Sequence, residues 1–256
     1  MVLLIDLLTH AYSMLFFNKK KAIKYDFSEV GVDMHSHLIP GVDDGAKDLT
    51  DSIDLINGLF DLGFSKLYTT PHSMQGVHPN TKSSLTAGLE TLKTSFSVAQ
   101  MPNLSSEYYL DEHFSQLLET QQILPLPGNR ILLEFSQVTR PLSLEDSLFE
   151  LALAGYHVVL AHPERYLFFH KHFQDFVRLK DMGLEFQVNA LSLSDHYGKN
   201  IRAMAEKLID HQLIDFLGTD IHRVQHLDLL KAIPNSKYYQ KLLDQGLLKN
   251  RQLLDD

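Results

Sequence analysis

The chain contains no cysteine and no tryptophan among its 256 residues. The missing thiols exclude disulfides, thiolate zinc sites and cysteine nucleophiles together. Basic residues are outnumbered by acidic ones, 23 to 32, giving a formal charge of -9. No long Lys/Arg run exists, so the chain should repel duplex nucleic acid, and a nuclease is the weakest reading. No Gly-x-Gly-x-x-Gly or Walker-type loop follows the first strand-like run, which weakens a nucleotide-binding fold. Low complexity is absent as well, because 44% of the residues are apolar and can bury a core. What stands out instead is histidine, 14 residues of it.

Residues 1–17 are mostly apolar and are followed by Asn18 and Lys19-Lys20-Lys21. The charge lies behind the apolar stretch, unlike a secretory signal. The stretch is short for a spanning helix and holds Asp6 and His10. We read 1–25 as an N-terminal extension, either poorly ordered or a peripheral anchor whose lysines face anionic lipid; Met14 is an alternative start. No other segment suits a membrane, which places the protein in the cytoplasm, with membrane contact only through this extension.

Residues 26–256 show no repeat, linker or charge block and read as one domain. Short β-type runs alternate with amphipathic helical ones. The β-type runs are 30–34, 65–70, 104–110, 130–135, 157–161, 184–188 and 214–218; the helical ones include 48–62, 143–154, 173–182 and 201–211, with a further helix over 235–256. Gly63, Gly155 and Gly183 stand where helices should end. Apolar strands alternating with helices predict a parallel sheet covered by helices, and seven units favour a closed α/β barrel of TIM-like type.

The ends of the β-runs carry the chemistry. They deliver His35 and His37, then His72, Glu107, Glu134, His162, and Asp220 with His222. In an α/β barrel these ends converge on one mouth. Residues i and i+2 of an extended segment share a face, so His35 and His37 can reach one metal. Taken singly, each has an ordinary explanation: a chance His-x-His, a loop cap, a surface histidine. Glu107 and Glu134 inside apolar strands are harder to dismiss, since an unpaired buried carboxylate is costly. Their joint placement argues for a metal cluster of imidazole and carboxylate donors. His10, His113, His170, His172, His196, His211 and His226 read as surface residues, His78 is ambiguous, and His157 faces the other end of the barrel.

The stretches DMHSHLIPGVDDG, TTPH, AHPERY, QVNA and GTDIH resemble the PHP (polymerase and histidinol phosphatase) superfamily. More narrowly they resemble its bacterial protein-tyrosine phosphatases, encoded with capsule and exopolysaccharide genes. The resemblance runs from about Asp33 past His222. It implies a distorted seven-stranded barrel with three divalent ions, manganese first and iron or zinc next. It implies His35, His37, Asp220 and a bridging Glu107 on the first ion. Glu107, Glu134 and His162 would hold the second, and Asp44, His72 and His222 the third, with Asp44 rather than Asp43 chosen by the motif. Arg165 matches the family's phosphate-binding arginine, and Arg223 is a candidate second phosphate contact. Where the family often has another histidine after Thr-Pro-His, this chain has Ser73.

The implied activity is hydrolysis of phosphotyrosine by a metal-activated hydroxide, with Glu107 and Arg165 as catalytic groups. The implied partner is a phosphotyrosine protein, a bacterial tyrosine kinase of polysaccharide synthesis. Asp43 is a candidate general acid, and Tyr108, Tyr109, Tyr166 and Phe168 a candidate aromatic wall; Gln187 and Asn189 should line the barrel without binding metal. The alternative within the family is a small-molecule phosphatase of the histidinol-phosphate kind. An amidohydrolase would need a bridging lysine at a strand end, and none stands there. A metal-free scaffold is disfavoured by the intact donor set.

Overall fold

Parallel pairing of short, apolar strands sets the frame. The computed structural model describes residues 26–254; the readings made for 1–25 lie outside them. The described strands are β1 (Val32–Asp33), β2 (Lys66–Thr69), β3 (His72–Ser73), β4 (Asn103–Leu104), β5 (Glu107–Tyr109), β6 (Arg130–Glu134), β7 (His157–Ala161), β8 (Glu185–Asn189) and β9 (Phe216–Gly218). They form two sheets, β1-β2-β4 and β3-β5-β6-β7-β8-β9, and every pairing is parallel. Helices fall between them: α1 (Leu49–Asp61), α2 (Lys82–Glu90), α3 (Glu112–Glu119), α4 (Leu144–Leu153), α5 (Gln174–Asp181), α6 (Lys199–Asp210), α7 (Val224–Leu230) and α8 (Lys237–Asp244). The architecture is thus mixed α/β on a parallel sheet, as expected for a TIM-like fold. Among the described residues no helix is long and apolar enough to cross a membrane.

Local chemistry explains the helix boundaries. The side chains of Asp48, Thr81, Asp111 and Ser236 each accept a hydrogen bond from a first-turn backbone N–H, offsetting donors a helix start leaves unpaired. Gly63, Gly155 and Gly183 follow α1, α4 and α5 with φ of +104, +82 and +93°, the left-handed conformation their positions suggested.

Side-chain alternation divides the core. Along β6 and β7, Leu132, Val159 and Ala161 join an inner cluster with Val32, Met34, Tyr68, Leu126, Phe216 and Leu253. Ile131, Leu133, Val158 and Leu160 belong to the larger cluster that includes helix residues such as Leu151 and Leu179. Period-two alternation therefore separates an inner apolar plug from the helix-facing layer. Glu134 has the parity of Leu132, and Gln187 and Asn189 have the parity opposite to Phe186 and Val188.

Two departures from the sequence reading concern the sheet. The run expected over 104–110 is broken at Ser105-Ser106 and the one at 65–70 continues past Thr70-Pro71, because proline cannot donate to a ladder. Backbone bonds from Ser105 N to Thr69 O (2.9 Å) and from Glu107 N to Thr70 O (3.2 Å) carry the pairing across the break. The tail, expected as one helix over 235–256, is helical only over α8. Gly246, at φ +65°, then turns the chain into a short 3-10 segment, Asn250–Leu253.

That tail joins the first strand to the last. Asn250 is fully buried; its Oδ1 accepts from Leu217 N (3.0 Å), and its Nδ2 donates to Val32 O (2.9 Å) and Leu217 O (2.7 Å). Higher up, Asp220 N donates to His35 O (2.7 Å) and His37 N to Ile221 O (3.1 Å). Between them Thr219 donates from N (2.9 Å) and Oγ1 (2.5 Å) to the Asp33 carboxylate. We expect Asn250→Ala to destabilise the fold by about 2–4 kcal/mol, since it strands buried backbone groups on β1 and β9; a urea midpoint unchanged from wild type would contradict this.

Candidate metal centre

The segments just beyond the strands gather the polar cluster at one end of the sheet. β1 runs on into His35 and His37, Pro71 precedes His72, Glu107 opens β5 and Glu134 closes β6. His162 follows β7, and Asp220 and His222 follow β9. His35, His37, Glu107, Glu134, His162 and Asp220 are buried; His72 and His222 are half-buried. Asp44 is the open member, its side chain 59% exposed.

Three sets of donor atoms lie within 4.8 Å of one another: His35, His37, Glu107 and Asp220; His72, Glu107 and Glu134; and His37, His72 and His222. Donors each about 2.1 Å from a shared ion stand roughly 3.0–3.4 Å apart in octahedral or tetrahedral geometry. His35 Nε2 is 3.1 Å from Glu107 Oε2 and 3.3 Å from Asp220 Oδ1, and His37 Nε2 is 3.3 Å from the same Oδ1. His72 Nδ1 is 3.1 Å from both Glu107 Oε2 and Glu134 Oε1.

Those last three atoms are buried and yet make no hydrogen bond. Both oxygens crowd within 3.1 Å of His72 Nδ1 without bonding to it, which donors to a shared cation do and an isolated polar core avoids. The Nε2 atoms of His35 and His37 also stand only 3.3 Å apart. The residues present therefore fit divalent ions, and the all-nitrogen-and-oxygen set suits manganese, iron or zinc.

The grouping differs in detail from the one the resemblance implied. His72 contacts Glu107 and Glu134 through Nδ1, and its Nε2 lies 3.6 Å from Asp44 Oδ1. It thus stands between the second and third sets. His162 Nε2 lies 2.9 Å from Glu107 Oε1 and 3.8 Å from Glu134 Oε2, and His222 Nε2 lies 3.4 Å from Asp44 Oδ1.

Backbone geometry aims several of these groups. His162 and Asp220 have φ of +33 and +51°, left-handed values that cost a non-glycine residue about 1–3 kcal/mol and persist where surrounding structure enforces them. His162 also precedes Pro163, which disfavours helical backbone there. A Cβ at Gly45 would lie 2.4 Å from His37 Cβ and 2.5 Å from its carbonyl oxygen, so the Asp43-Asp44-Gly45 turn can close on His37 only with glycine.

Of the remaining expectations, those for Asp43, the aromatic wall and three surface histidines are corrected. Asp43 is no free acid: its Oδ2 holds His37 Nδ1 at 2.7 Å and accepts His72 N at 3.1 Å. Although burial pushes its carboxyl upward, the His37 imidazole wins and lowers it to about 2. Tyr108 and Tyr166 are core residues, not a wall; Tyr108 OH accepts from Leu124 N (2.7 Å), and Tyr166 stacks on Phe135 at 4.3 Å. His113, His170 and His226 are half-buried rather than surface residues. Arg223 is exposed, and its side chain makes no hydrogen bond or ion pair among the described residues. Ser73 is buried against Ser106 (Oγ–Oγ 2.7 Å) and takes no place in the cluster.

The sequence reading missed Tyr197. Arg165 lies over its ring at 4.9 Å while donating from Nη1 to Asp220 Oδ2 at 3.0 Å. Both residues line an open cavity of about 430 Å³ with Gln137, Leu167 and Lys199. The signal available was position alone: Tyr197 sits in the loop after the sixth β-type run, on the expected mouth.

Charge balance shows how the cluster would exchange protons for ions. Burial would lower the His35 imidazole, but the Glu107 and Asp220 carboxylates raise it to about 9. Against their own burial, Glu107 and Asp220 are held well below the usual carboxylate range, chiefly by His35. In the ion-free protein, protons on the imidazoles balance the acids. A folded value raised above the model 6.5 means that His35 is protonated below about pH 9 and must lose that proton to bind metal. Calorimetric manganese titration at pH 7 and at a pH well above 9, each in two buffers of different ionisation heat, should thus show proton release that is smaller at the higher pH, by the share His35 contributes. Equal release at both pH values would contradict the assignment.

A family model described as "Capsular polysaccharide synthesis, CpsB/CapC" matches residues 31–250. The tyrosine-protein phosphatase YwqE of Bacillus subtilis is 30% identical over 200 residues, 76% of this chain and 78% of that protein. The tyrosine-protein phosphatase CpsB of Streptococcus agalactiae is 25% identical over 203 residues, 75% of this chain and 83% of that one. Among solved structures, a chain from the crystal structures of YwqE from Bacillus subtilis and CpsB from Streptococcus pneumoniae, "unique metal-dependent tyrosine phosphatases", superposes with a TM-score of 0.70. It is 27% identical, with 86% of this chain and 94% of that one covered. With the match spanning all three donor sets, the chain belongs to the CpsB/CapC family of capsular polysaccharide synthesis.

Proposed function

We propose that this protein is a metal-dependent, cysteine-independent protein-tyrosine phosphatase, acting on a phosphorylated tyrosine kinase of polysaccharide synthesis in the cytoplasm. The observation that carries the reading is the trio of buried, unbonded donor atoms, His72 Nδ1, Glu107 Oε2 and Glu134 Oε1, packed within ion-sharing distance. Family membership and the likeness to metal-dependent tyrosine phosphatases support it. We read residues 26–256 as one domain, and the nine strands as seven barrel staves, with β2 and β3 on one stave and β4 and β5 on another.

His35, His37, Glu107 and Asp220 would hold a first ion, Glu107, Glu134 and His162 a second with His72 close by, and Asp44, His72 and His222 a third. Manganese is our first choice for these sites. When bound, the ions supply Lewis acidity toward phosphoryl oxygens and water of lowered pKa. Glu107 is central on the protein side, since its Oε2 faces His35, His37 and His72 while Oε1 faces His162. Arg165 brings a permanent cation to the rim. Anchored by Asp220 and Tyr197, it is pre-positioned for an incoming phosphoryl group. A phenolate leaving group, of ordinary pKa about 10, needs little proton assistance, consistent with Asp43 being occupied by His37. The cavity beside Arg165 gives the peptide around the phosphotyrosine a place to lie.

The decisive experiment follows hydrolysis of a phosphotyrosine peptide and of histidinol phosphate with and without chelator. We expect turnover of the peptide only, lost in chelator and restored by manganese. Glu107→Gln and His162→Ala should each lower kcat about a hundredfold or more. Peptide hydrolysis that persisted in chelator, or a preference for histidinol phosphate, would end this reading.

The rim should act differently. Arg165→Met should raise KM for the phosphopeptide about tenfold while lowering kcat less. Lys199→Glu, farther from the cluster, should raise KM a few-fold, roughly, with kcat intact. A change confined to kcat in both variants would show that the cavity takes no part in substrate binding.

A further inference from the structure

Among the cluster's imidazoles, His35 differs in the partner of its outer nitrogen. His37 Nδ1 faces the Asp43 carboxylate at 2.7 Å, and His222 Nδ1 faces the Asp220 backbone carbonyl at 2.9 Å. Both partners only accept, so both nitrogens carry the proton and both Nε2 atoms are free to bind an ion. His35 Nδ1 instead faces a side-chain amide, Gln187, at 2.9 Å. An amide can accept or donate, so this contact alone leaves the position of the proton open.

We propose that Gln187 and Asn189 are positioning residues that settle it: with Asp220 they form a chain of hydrogen bonds that keeps the proton of His35 on Nδ1 and turns its Nε2 lone pair toward the ions. The inference rests on the metal-dependent reading above and deepens it. The direction of the chain follows from its unambiguous members, the Asp220 carboxylate at one end and, at the other, His162 N, which donates to Gln187 Oε1 at 3.4 Å. The Asp220 carboxylate accepts only, so the Asn189 contact at 2.7 Å must be Nδ2 donating to Oδ2. Asn189 Oδ1 then faces Gln187 at 2.9 Å and must accept from its Nε2. Gln187 is left with Oε1 toward His35, and Nδ1 must donate to it. At the far end Asp220 Oδ1 stands 3.3 Å from His35 Nε2; neither atom then carries a proton, so the two would face a shared ion rather than bond to each other.

The surroundings hold this chain in place. His35, Gln187 and Asn189 are fully buried and Asp220 nearly so, so water cannot substitute for a lost link. Glu164 Oε1 accepts Asn189 N at 3.0 Å, fixing the backbone at that point. A Cβ on Gly218 would lie 2.7 Å from His35 Cβ and 2.9 Å from Gln187 Nε2, so β9 presses directly on the chain. Asp220 is thereby divided: Oδ2 takes Asn189 and Arg165, and Oδ1 faces His35, His37 and His222. Groups that orient a metal-binding imidazole typically change metal affinity about 10- to 100-fold when removed.

The test uses the full chain and two readouts besides activity. In zinc-loaded wild type, chosen because zinc is diamagnetic, imidazole 15N shifts should show His35 protonated at Nδ1. Gln187→Met, of similar size and without polar groups, should lower manganese affinity about 10- to 100-fold by calorimetry. It should also abolish the defined Nδ1–H signal, and saturating manganese should restore much of kcat with KM unchanged. Gln187→Glu keeps an acceptor for His35 and should retain both the Nδ1–H signal and tighter binding than Gln187→Met. His35 protonated at Nε2 in the wild type, or Gln187→Met binding manganese as tightly as wild type, would overturn the proposal whether or not a given variant folds well. A wild type that takes up no divalent ion at all would sink the metal reading itself, and this role with it.

Discussion

A buried carboxylate has to be balanced by positive charge, and this constraint organises the protein around Glu107. Its side chain is fully buried, one oxygen makes no hydrogen bond, and imidazoles face it from three different segments of the chain. Without a cation such a carboxylate would cost several kcal/mol in a dry interior. Protons on His35 and its neighbours supply that charge in the ion-free chain, and divalent ions can supply it more fully. The same site therefore either holds protons or holds ions, and folding and ion uptake are coupled through one acid-base balance.

Because the donors come from both ends of the sequence, the cluster exists only if the first and last strands meet. Asp33, Thr219 and Asn250 hold that junction with side-chain hydrogen bonds where β1 and β9 share little regular ladder. Asp33 shows the strain of the arrangement: burial raises its carboxyl to about 6 despite the bonds from Thr219. The tail contributes Leu253 to the inner apolar plug, and its carbonyl receives Lys66 and Tyr68. The end of the sheet away from the cluster is thus stabilised by segments that take no part in chemistry, the usual division of labour in TIM-like α/β folds.

How far the sequence was legible follows from the range of each interaction. The helix starts at Asp48 and Asp111 and the turns at Gly63, Gly155 and Gly183 depend on local backbone chemistry, visible within a few residues. The alternation of Ile131, Leu132 and Leu133 is equally local, and so is the spacing of His35 and His37. Positions such as Glu107 and Glu134 could be suspected because a charge inside an apolar run needs a distant partner. What could not be read was the identity of that partner. Asp43 and Asp44 are adjacent and chemically alike, yet one is buried on His37 Nδ1 and the other opens to solvent. Only the turn at Gly45, pressed against His37, separates them. Asn250 and Tyr197 escaped notice for the same reason, since each acts across more than thirty positions, or opposite an arginine on another loop. The helix expected over 235–256 failed at Gly246, a residue that permits a helix end without requiring one.

The division of Asp220 between two tasks explains how an acidic chain can accept an anionic substrate. With a formal charge of -9, the protein as a whole repels phosphate. Near the cluster the sign of the field depends on local geometry, not on the sum. Oδ1 of Asp220 lies among imidazoles, where its charge is absorbed by protons or ions. Oδ2 is engaged by Asn189 and Arg165. Neither oxygen is left to face an approaching phosphoryl group. Arg165, in turn, has five donors and spends one on Asp220, so its remaining donors and its charge stay available on the side lined by Tyr197 and Lys199. The carboxylate fixes the guanidinium without neutralising its reach, and an anion entering the cavity meets the positive charge of Arg165.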